Sequence, residues 1–259
     1  MQITNIRTMS DFLSKGEEPD ILFWVGSAGS FDERAKKITR AFVRILNKSN
    51  INFAVLGEEE SSTGDVAKRA GNEFLFQMQA LMNIELLNSY KIKNIVTTCP
   101  HAYNTLKNEY KGLGGNYNVK HHSQFIAELI SNNIIDIKNN LKGVKVTYHD
   151  PCYLGRANNI YDDPRQIIKS LGVELVEMPR NRRRSFCCGA GGAQMFKEAE
   201  KGDQDININR TNEALSLNPS IIATGCPFCN TMITDGVKNI KEDSAEVLDI
   251  AELVADNLS

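Results

Sequence analysis

Long apolar runs are missing from this sequence. No stretch approaches the ~20 residues that a membrane-spanning helix needs, so direct insertion into a bilayer is not expected. The N-terminal stretch MQITNIRTMSDFL has no apolar core of the kind that opens a secretory signal. A surplus of positive charge is missing too. The 30 Lys and Arg against 32 Asp and Glu leave a formal net charge of −2, which gives no electrostatic support to nucleic-acid binding. There is no Walker A loop, no GxSxG elbow and no complete Rossmann fingerprint. The CxxCxxCxxxCP run of two-cluster ferredoxins is absent as well. Histidines number only 4, and neither His101 nor the pair His121-His122 has a complete ligand set around it. These absences lead us to expect a cytoplasmic protein, at most peripheral to a membrane complex, in a compartment where thiols stay reduced. The remaining composition, 41% hydrophobic and 24% charged over 259 residues, suits one or two ordinary folded domains.

Cysteine is what stands out. Five of the six cysteines fall between Asp150 and Asn230, in the segments DPCYLG, RSFCCGAGG and ATGCPFCN. The pattern is C-x34-CC-x37-CxxC, made by Cys152, Cys187, Cys188, Cys226 and Cys229. Soft thiolates select zinc, copper(I) or iron–sulfur clusters. One helical turn can aim Cys226 and Cys229 at one centre. The adjacent side chains of Cys187 and Cys188 diverge, so both reach one object only if it is large or the backbone turns sharply. Gly189, Gly191 and Gly192 permit such a turn, and their N–H groups could face a negative cluster. Zinc and a cubane cluster are each satisfied by four ligands. Five thiols leave one bystander or point to a cluster that is not a cubane. Three plainer readings stand beside this one. A structural zinc site suits CxxC but leaves the vicinal pair and the fifth thiol unused. Disulfides need an oxidising compartment. Unrelated buried thiols are common core residues.

The five-cysteine pattern resembles the CCG domain, the cysteine-rich domain of heterodisulfide reductase. That domain recurs in the iron–sulfur subunits of glycolate oxidase, anaerobic glycerol-3-phosphate dehydrogenase and lactate-utilisation complexes. The second gap, of 37 residues, runs slightly over the family's usual range, which loop variation explains. The resemblance implies that Cys152, Cys187, Cys188, Cys226 and Cys229 hold one [4Fe-4S] cluster of non-cubane type. It implies an electron-transfer or oxidoreductase subunit, either heterodisulfide reductase-like or a component of a quinone-linked dehydrogenase. The implied partners are ferredoxin-type, flavin or membrane-bound quinone-linked subunits. The alternative is an assembly or binding protein with structural zinc on the same cysteines.

The chain also repeats itself. ILFWV (21–25) parallels VKVTY (144–148), NFAVL (52–56) parallels VELVE (173–177), NIVTTCP (94–100) parallels IIATGCP (221–227), and FIAELI (125–130) parallels DIAELV (249–254). A nearly constant offset over four blocks marks a duplication. Each half alternates short apolar strands with helical patterns, so the expected fold is α/β with parallel strands flanked by helices. We expect two similar lobes, 1–140 and 141–259, about a pseudo-two-fold axis, with the boundary in the stretch 138–143. The spacing predicts a helix over 31–48, capped by Ser30 and Glu33 with an apolar stripe of Ala35, Ile38, Phe42, Ile45 and Leu46. A second helix is expected over 66–90, and Gly112, Gly114 and Gly115 mark a loop. Pro227 after Cys226 predicts a helix start that lowers the thiol pKa, and Pro100 after Cys99 predicts another helix start.

The duplication sets Ser27 opposite Cys152, Ser62 and Thr63 opposite Cys187 and Cys188, Cys99 opposite Cys226, and Ala102 opposite Cys229. The first lobe is therefore expected to be a degenerate repeat without a cluster, its site closed by small side chains. Two further features precede the cysteines. Arg180, Arg182, Arg183 and Arg184 either face an anionic centre or an acidic partner, or form a solvated loop. His149 is either a structural histidine or a hydrogen-bond donor to the centre.

Overall fold

The computed structural model describes residues 6–198 and 201–259. The first five residues of the N-terminal stretch lie outside them. The first lobe runs β1 (Arg7–Thr8), α1 (Met9–Ser14), β2 (Ile21–Trp24), α2 (Gly26–Phe31), α3 (Glu33–Lys48), β3 (Phe53–Val55), α4 (Asp65–Arg69), α5 (Glu73–Ser89), β4 (Asn94–Thr97), α6 (Pro100–Asn104), β5 (Asn118–His121) and α7 (His122–Ser131). The second runs β6 (Lys145–Tyr148), α8 (Asp162–Ser170), β7 (Glu174–Leu175), α9 (Ile206–Leu215), β8 (Ile221–Thr224), α10 (Pro227–Lys241), β9 (Glu246–Asp249) and α11 (Ile250–Asp256). Two sheets result, ordered β1-β3-β2-β4-β5 and β7-β6-β8-β9, and the ladders between these strands are all parallel. Without β1, the first order maps onto the second strand by strand, which is the duplication in three dimensions.

Local chemistry sets the element boundaries. The helix expected over 31–48 begins two residues later, because Asp32 accepts from the Ala35 N–H at 2.7 Å and Ser30 lies inside the preceding short helix. Its predicted stripe is buried, and Ile38, Phe42, Ile45 and Leu46 are each wholly inaccessible. Burial of such side chains contributes about 1.5–3 kcal/mol apiece. The helix expected over 66–90 is two helices. Gly71 sits at φ +87°, which breaks the first, and Asn72 caps the second by accepting from the Leu75 N–H at 3.0 Å. The expected loop after Leu113 is present, with Gly114 at φ +92°. No helix among the described residues is long and apolar enough to cross a membrane.

The lobes share one core, in which Phe23, Phe42 and Ile126 of the first meet Val146, Ile167 and Ile250 of the second. Helix α3 packs on α11, and α8, the second-lobe counterpart of α3, packs on α7, the counterpart of α11. This exchange is what a two-fold relation between lobes requires. Near its centre, His122 and Asp249 join at 2.8 Å with both side chains fully buried. The pair His121-His122, which offers no ligand set, is thus part of a polar seam between the lobes.

Candidate functional site

The site lies at the carboxyl ends of the second sheet, where open α/β folds place ligands. Cys152 follows β6, Cys187 and Cys188 lie on the long loop after β7, and Cys226 follows β8. Pro227 opens α10, so Cys226 is its N-cap and Cys229 stands one turn in. The five thiols are neighbours of one another. Cys188 Sγ lies 3.2 Å from Cys229 Sγ, and Cys152 with Cys187, Cys187 with Cys188, and Cys226 with Cys229 are near enough to bias each other's ionisation. All five residues singled out in the sequence are therefore brought together, and all are free thiols. Cys188, Cys226 and Cys229 are buried, while Cys152 and Cys187 are partly exposed.

The sharp turn after the vicinal pair is real. Gly189 sits at φ +93°, its N–H donates to Cys187 Sγ at 3.3 Å, and a Cβ there would press within 3.3 Å of Ile206 and Met232. The sulfurs divide the charge unevenly. Hydrogen bonds from Cys152 and Cys188 hold the Cys187 thiol far below the ordinary thiol range. Burial opposes ionisation of Cys226, but contact with Cys229, the nearby His101 and the helical N–H groups lower its pKa. Cys152, Cys188 and Cys229 are pushed up by neighbouring thiols and burial. A cationic centre would replace those protons, as metal binding to thiols does.

His149 completes the shell. The Arg210 Nε–H donates to its Nδ1 at 3.0 Å, and a ring nitrogen lies within 4.8 Å of the Cys188 and Cys229 sulfurs. Arg210 cannot give up its proton, so Nδ1 is the acceptor. Burial and the Arg210 charge hold His149 neutral, with its pKa well below the histidine range. The ring hydrogen is therefore on Nε2, which is buried without a partner. A nitrogen in that state is a donor, not a ligand, which leaves the centre to sulfur alone. An inorganic sulfide or a thiolate would satisfy this N–H, so the residues fit an iron–sulfur cluster. The arginine segment is mixed. Arg180 pairs with Glu213 and Arg182 with Asp162, while Arg183 and Arg184 are exposed.

The first-lobe counterparts gather in the same way. Ser27, Ser62, Thr63, Cys99 and Ala102 all line one cavity, of about 40 Å³, room for a few waters. Cys99 caps α6 as Cys226 caps α10. Burial pushes the Cys99 thiol up, so it stays protonated. Glu60 accepts from the Val25 and Gly26 N–H groups beside this cavity.

The cysteine-rich domain family matches residues 21–107 and again 146–234. The chain belongs to this family. It is 46% identical over 255 residues to the probable iron-sulfur-binding oxidoreductase FadF of Bacillus subtilis, covering 98% of this chain and 36% of that protein. It is 44% identical over 257 residues to the EtfAB:quinone oxidoreductase of Syntrophomonas wolfei, covering 96% and 36%. Against a subunit of the dihydromethanophenazine:CoB--CoM heterodisulfide reductase of Methanosarcina barkeri the identity is 33% over 253 residues, covering 93% and 60%. The chain thus resembles iron–sulfur oxidoreductase subunits, and it spans 36% of the length of the first two.

Proposed function

We propose that the chain is an electron-transfer module in which Cys152, Cys187, Cys188, Cys226 and Cys229 hold one [4Fe-4S] cluster of non-cubane type. The observation that carries this reading is the gathering of five free thiols beside a buried, unpartnered N–H. Such a cluster passes one electron at a time between a donor and an acceptor. The protein's part is to supply the thiolates, hold the His149 N–H beside them and exclude water from Cys188, Cys226 and Cys229. The degenerate repeat, residues 1–140, supports the complete repeat, residues 141–259, and binds no iron. Because relatives are named as a quinone oxidoreductase and as part of a heterodisulfide reductase, we place the module in a cytoplasmic or membrane-peripheral redox complex. Its partners there are flavin, ferredoxin-type or quinone-linked subunits. The quinone-linked setting is supported by the higher identity. Anaerobic purification tests the reading. We expect visible absorption near 400 nm and about four irons per chain, with spectra unlike those of a cubane. A colourless protein carrying zinc and no iron would replace this reading with a structural zinc site.

A further inference from the structure

The first lobe holds no complete thiol set, yet it packs one side chain against the second lobe's cysteine segments. His101 lies between Cys99 and Ala102, at the position that Phe228 occupies between Cys226 and Cys229. The two residues meet, their rings edge to face at 5.9 Å. On another side His101 stacks on Tyr153, the residue after Cys152, at 4.2 Å and 29°. A third wall is Gly191, from the loop after the vicinal pair. The point where a Gly191 Cβ would stand is 3.9 Å from His101 Cε1 and 4.0 Å from Cys152 Sγ. Each of the three cysteine segments therefore contributes one wall to a ring from the other lobe.

The ring is also fixed from behind. Nδ1 pairs with Asp65 Oδ2 at 2.9 Å, and Asp65 is held in turn by Arg69 at 3.1 Å. Arg69 continues to Glu109 and lies over the Tyr153 ring at 5.3 Å. The groups facing the ring are thus Asp65 and Arg69 from its own lobe, with Tyr153, Phe228 and the Cys226 thiol from the other. Nε2 has no hydrogen-bond partner among the described residues, and the side chain is only 11% exposed.

We infer that His101 is a positioning residue of the second lobe's cysteine centre, through which the first lobe sets that centre's reduction potential. This rests on the reading that the five cysteines hold a cluster. The Asp65 carboxylate, 2.9 Å from Nδ1 and oriented by Arg69, favours a proton on the ring. A cation at this place favours the more negative, reduced state of a thiolate-bound centre. The counterpart Phe228 cannot do the same for the first lobe, which has no centre to tune. The interaction is not ligation, since the nearest sulfur set is complete without His101.

The test uses the full chain, loaded anaerobically with iron, and reads its midpoint potential by visible absorption and electron paramagnetic resonance. His101→Gln, which keeps a hydrogen bond to Asp65, is expected to retain wild-type iron and to shift the midpoint to more negative values. His101→Lys, which returns a positive charge, should move it back toward wild type. A fully loaded His101→Gln protein with an unchanged midpoint overturns the inference, as do equal shifts in the two variants. Should His101→Gln lose its iron, His101→Phe takes its place, because it keeps a ring of the kind that the counterpart Phe228 carries but holds no proton. That variant should shift in the same direction, and an unchanged midpoint again overturns the inference. Iron content of the wild type reports on the cluster reading alone, and the difference between variant and wild-type potentials reports on His101.

Discussion

Arg210 donates through Nε to His149 Nδ1 at 3.0 Å, and both side chains are buried. One hydrogen bond thus decides that the free ring nitrogen of His149, beside Cys188 and Cys229, is an N–H rather than a lone pair. The consequence is measurable. His149→Leu should keep its iron, because no ligand is lost, while the cluster potential moves to more negative values as a donor to sulfur disappears. Loss of iron from this variant would mean that His149 is a ligand, and the assignment of its hydrogen to Nε2 would be wrong.

Arg210 itself is a stability element. It is wholly buried, with Nη1 on Glu213 at 3.0 Å and on the Arg180 carbonyl at 2.9 Å. Arg210→Met leaves His149 Nδ1 without its donor and the half-buried Glu213 with Arg180 as its remaining partner. Losing a hydrogen bond made by a charged group costs about 1.5–3 kcal/mol. Urea denaturation of the metal-free protein should show that loss, and a change under ~1 kcal/mol, the range of an exposed pair, would mean that Glu213 is served by Arg180 alone.

The centre's own residues separate cleanly from the remaining cysteine. Cys187→Ser and Cys226→Ser remove the two thiols that ionise most readily, so iron content should fall or the visible spectrum should degrade. Cys99→Ser lies in the other lobe and should leave iron content unchanged. Equal losses in all three would place Cys99 in the centre.

What was legible in the sequence had local causes. IIAT followed by Gly225-Cys226-Pro227 reads as strand, turn and helix start because apolar β-formers and a proline at N1 act within a few residues. The strands at 118–121 and 246–249 were not legible. NVKH and EVLD mix charge with apolar residues at sheet edges, and only their pairing with β4 and β8 makes them strands. The helix break at Gly71 was likewise hidden in a long apolar pattern, since Phe74, Leu75, Met78, Leu81 and Met82 of α5 are exposed. The five thiols were legible from spacing. His101 was not, because its walls at Tyr153, Gly191 and Phe228 are distant in sequence and come from the other lobe. One signal was available: the duplication already set His101 opposite the aromatic ring between Cys226 and Cys229.

Glu60 gives the first lobe a pH dependence. Burial lifts its pKa from 4.5 to about 7, against the lowering effect of the Val25 and Gly26 N–H groups. Between those two values the folded chain holds a proton that the unfolded chain has released. Stability from this group is therefore fully present below about pH 4.5 and is lost as pH rises through about 7. Glu60→Gln should flatten that decline, read as urea midpoints of metal-free protein at mildly acidic and mildly alkaline pH. An identical decline in variant and parent would assign it to another group.

The first-lobe cavity offers a test of the duplication itself. Ser27, Ser62, Thr63 and Ala102 already surround Cys99 at about 40 Å³ of free space, so the backbone has kept the gathering of loops while the thiols are gone. Hydroxyls and a methyl group cannot hold iron that soft thiolates hold. Replacing those four residues by cysteine together, with Cys99 retained, restores five thiols in the second lobe's arrangement. Cysteine is close in volume to serine and threonine, so the loops need little rearrangement before iron enters, and the cluster would displace the few waters that the space admits. Glu60 works against the gain, because its carboxylate occupies the Val25 and Gly26 N–H groups and adds negative charge beside a site that would become anionic. The quadruple variant combined with Glu60→Gln is therefore expected to load more fully than the quadruple variant alone. Iron analysis after anaerobic reconstitution should rise from about four to about eight per chain. A value that stays near four, with both lobes folded, would mean that the first-lobe loops no longer hold the geometry that the second-lobe sulfurs share.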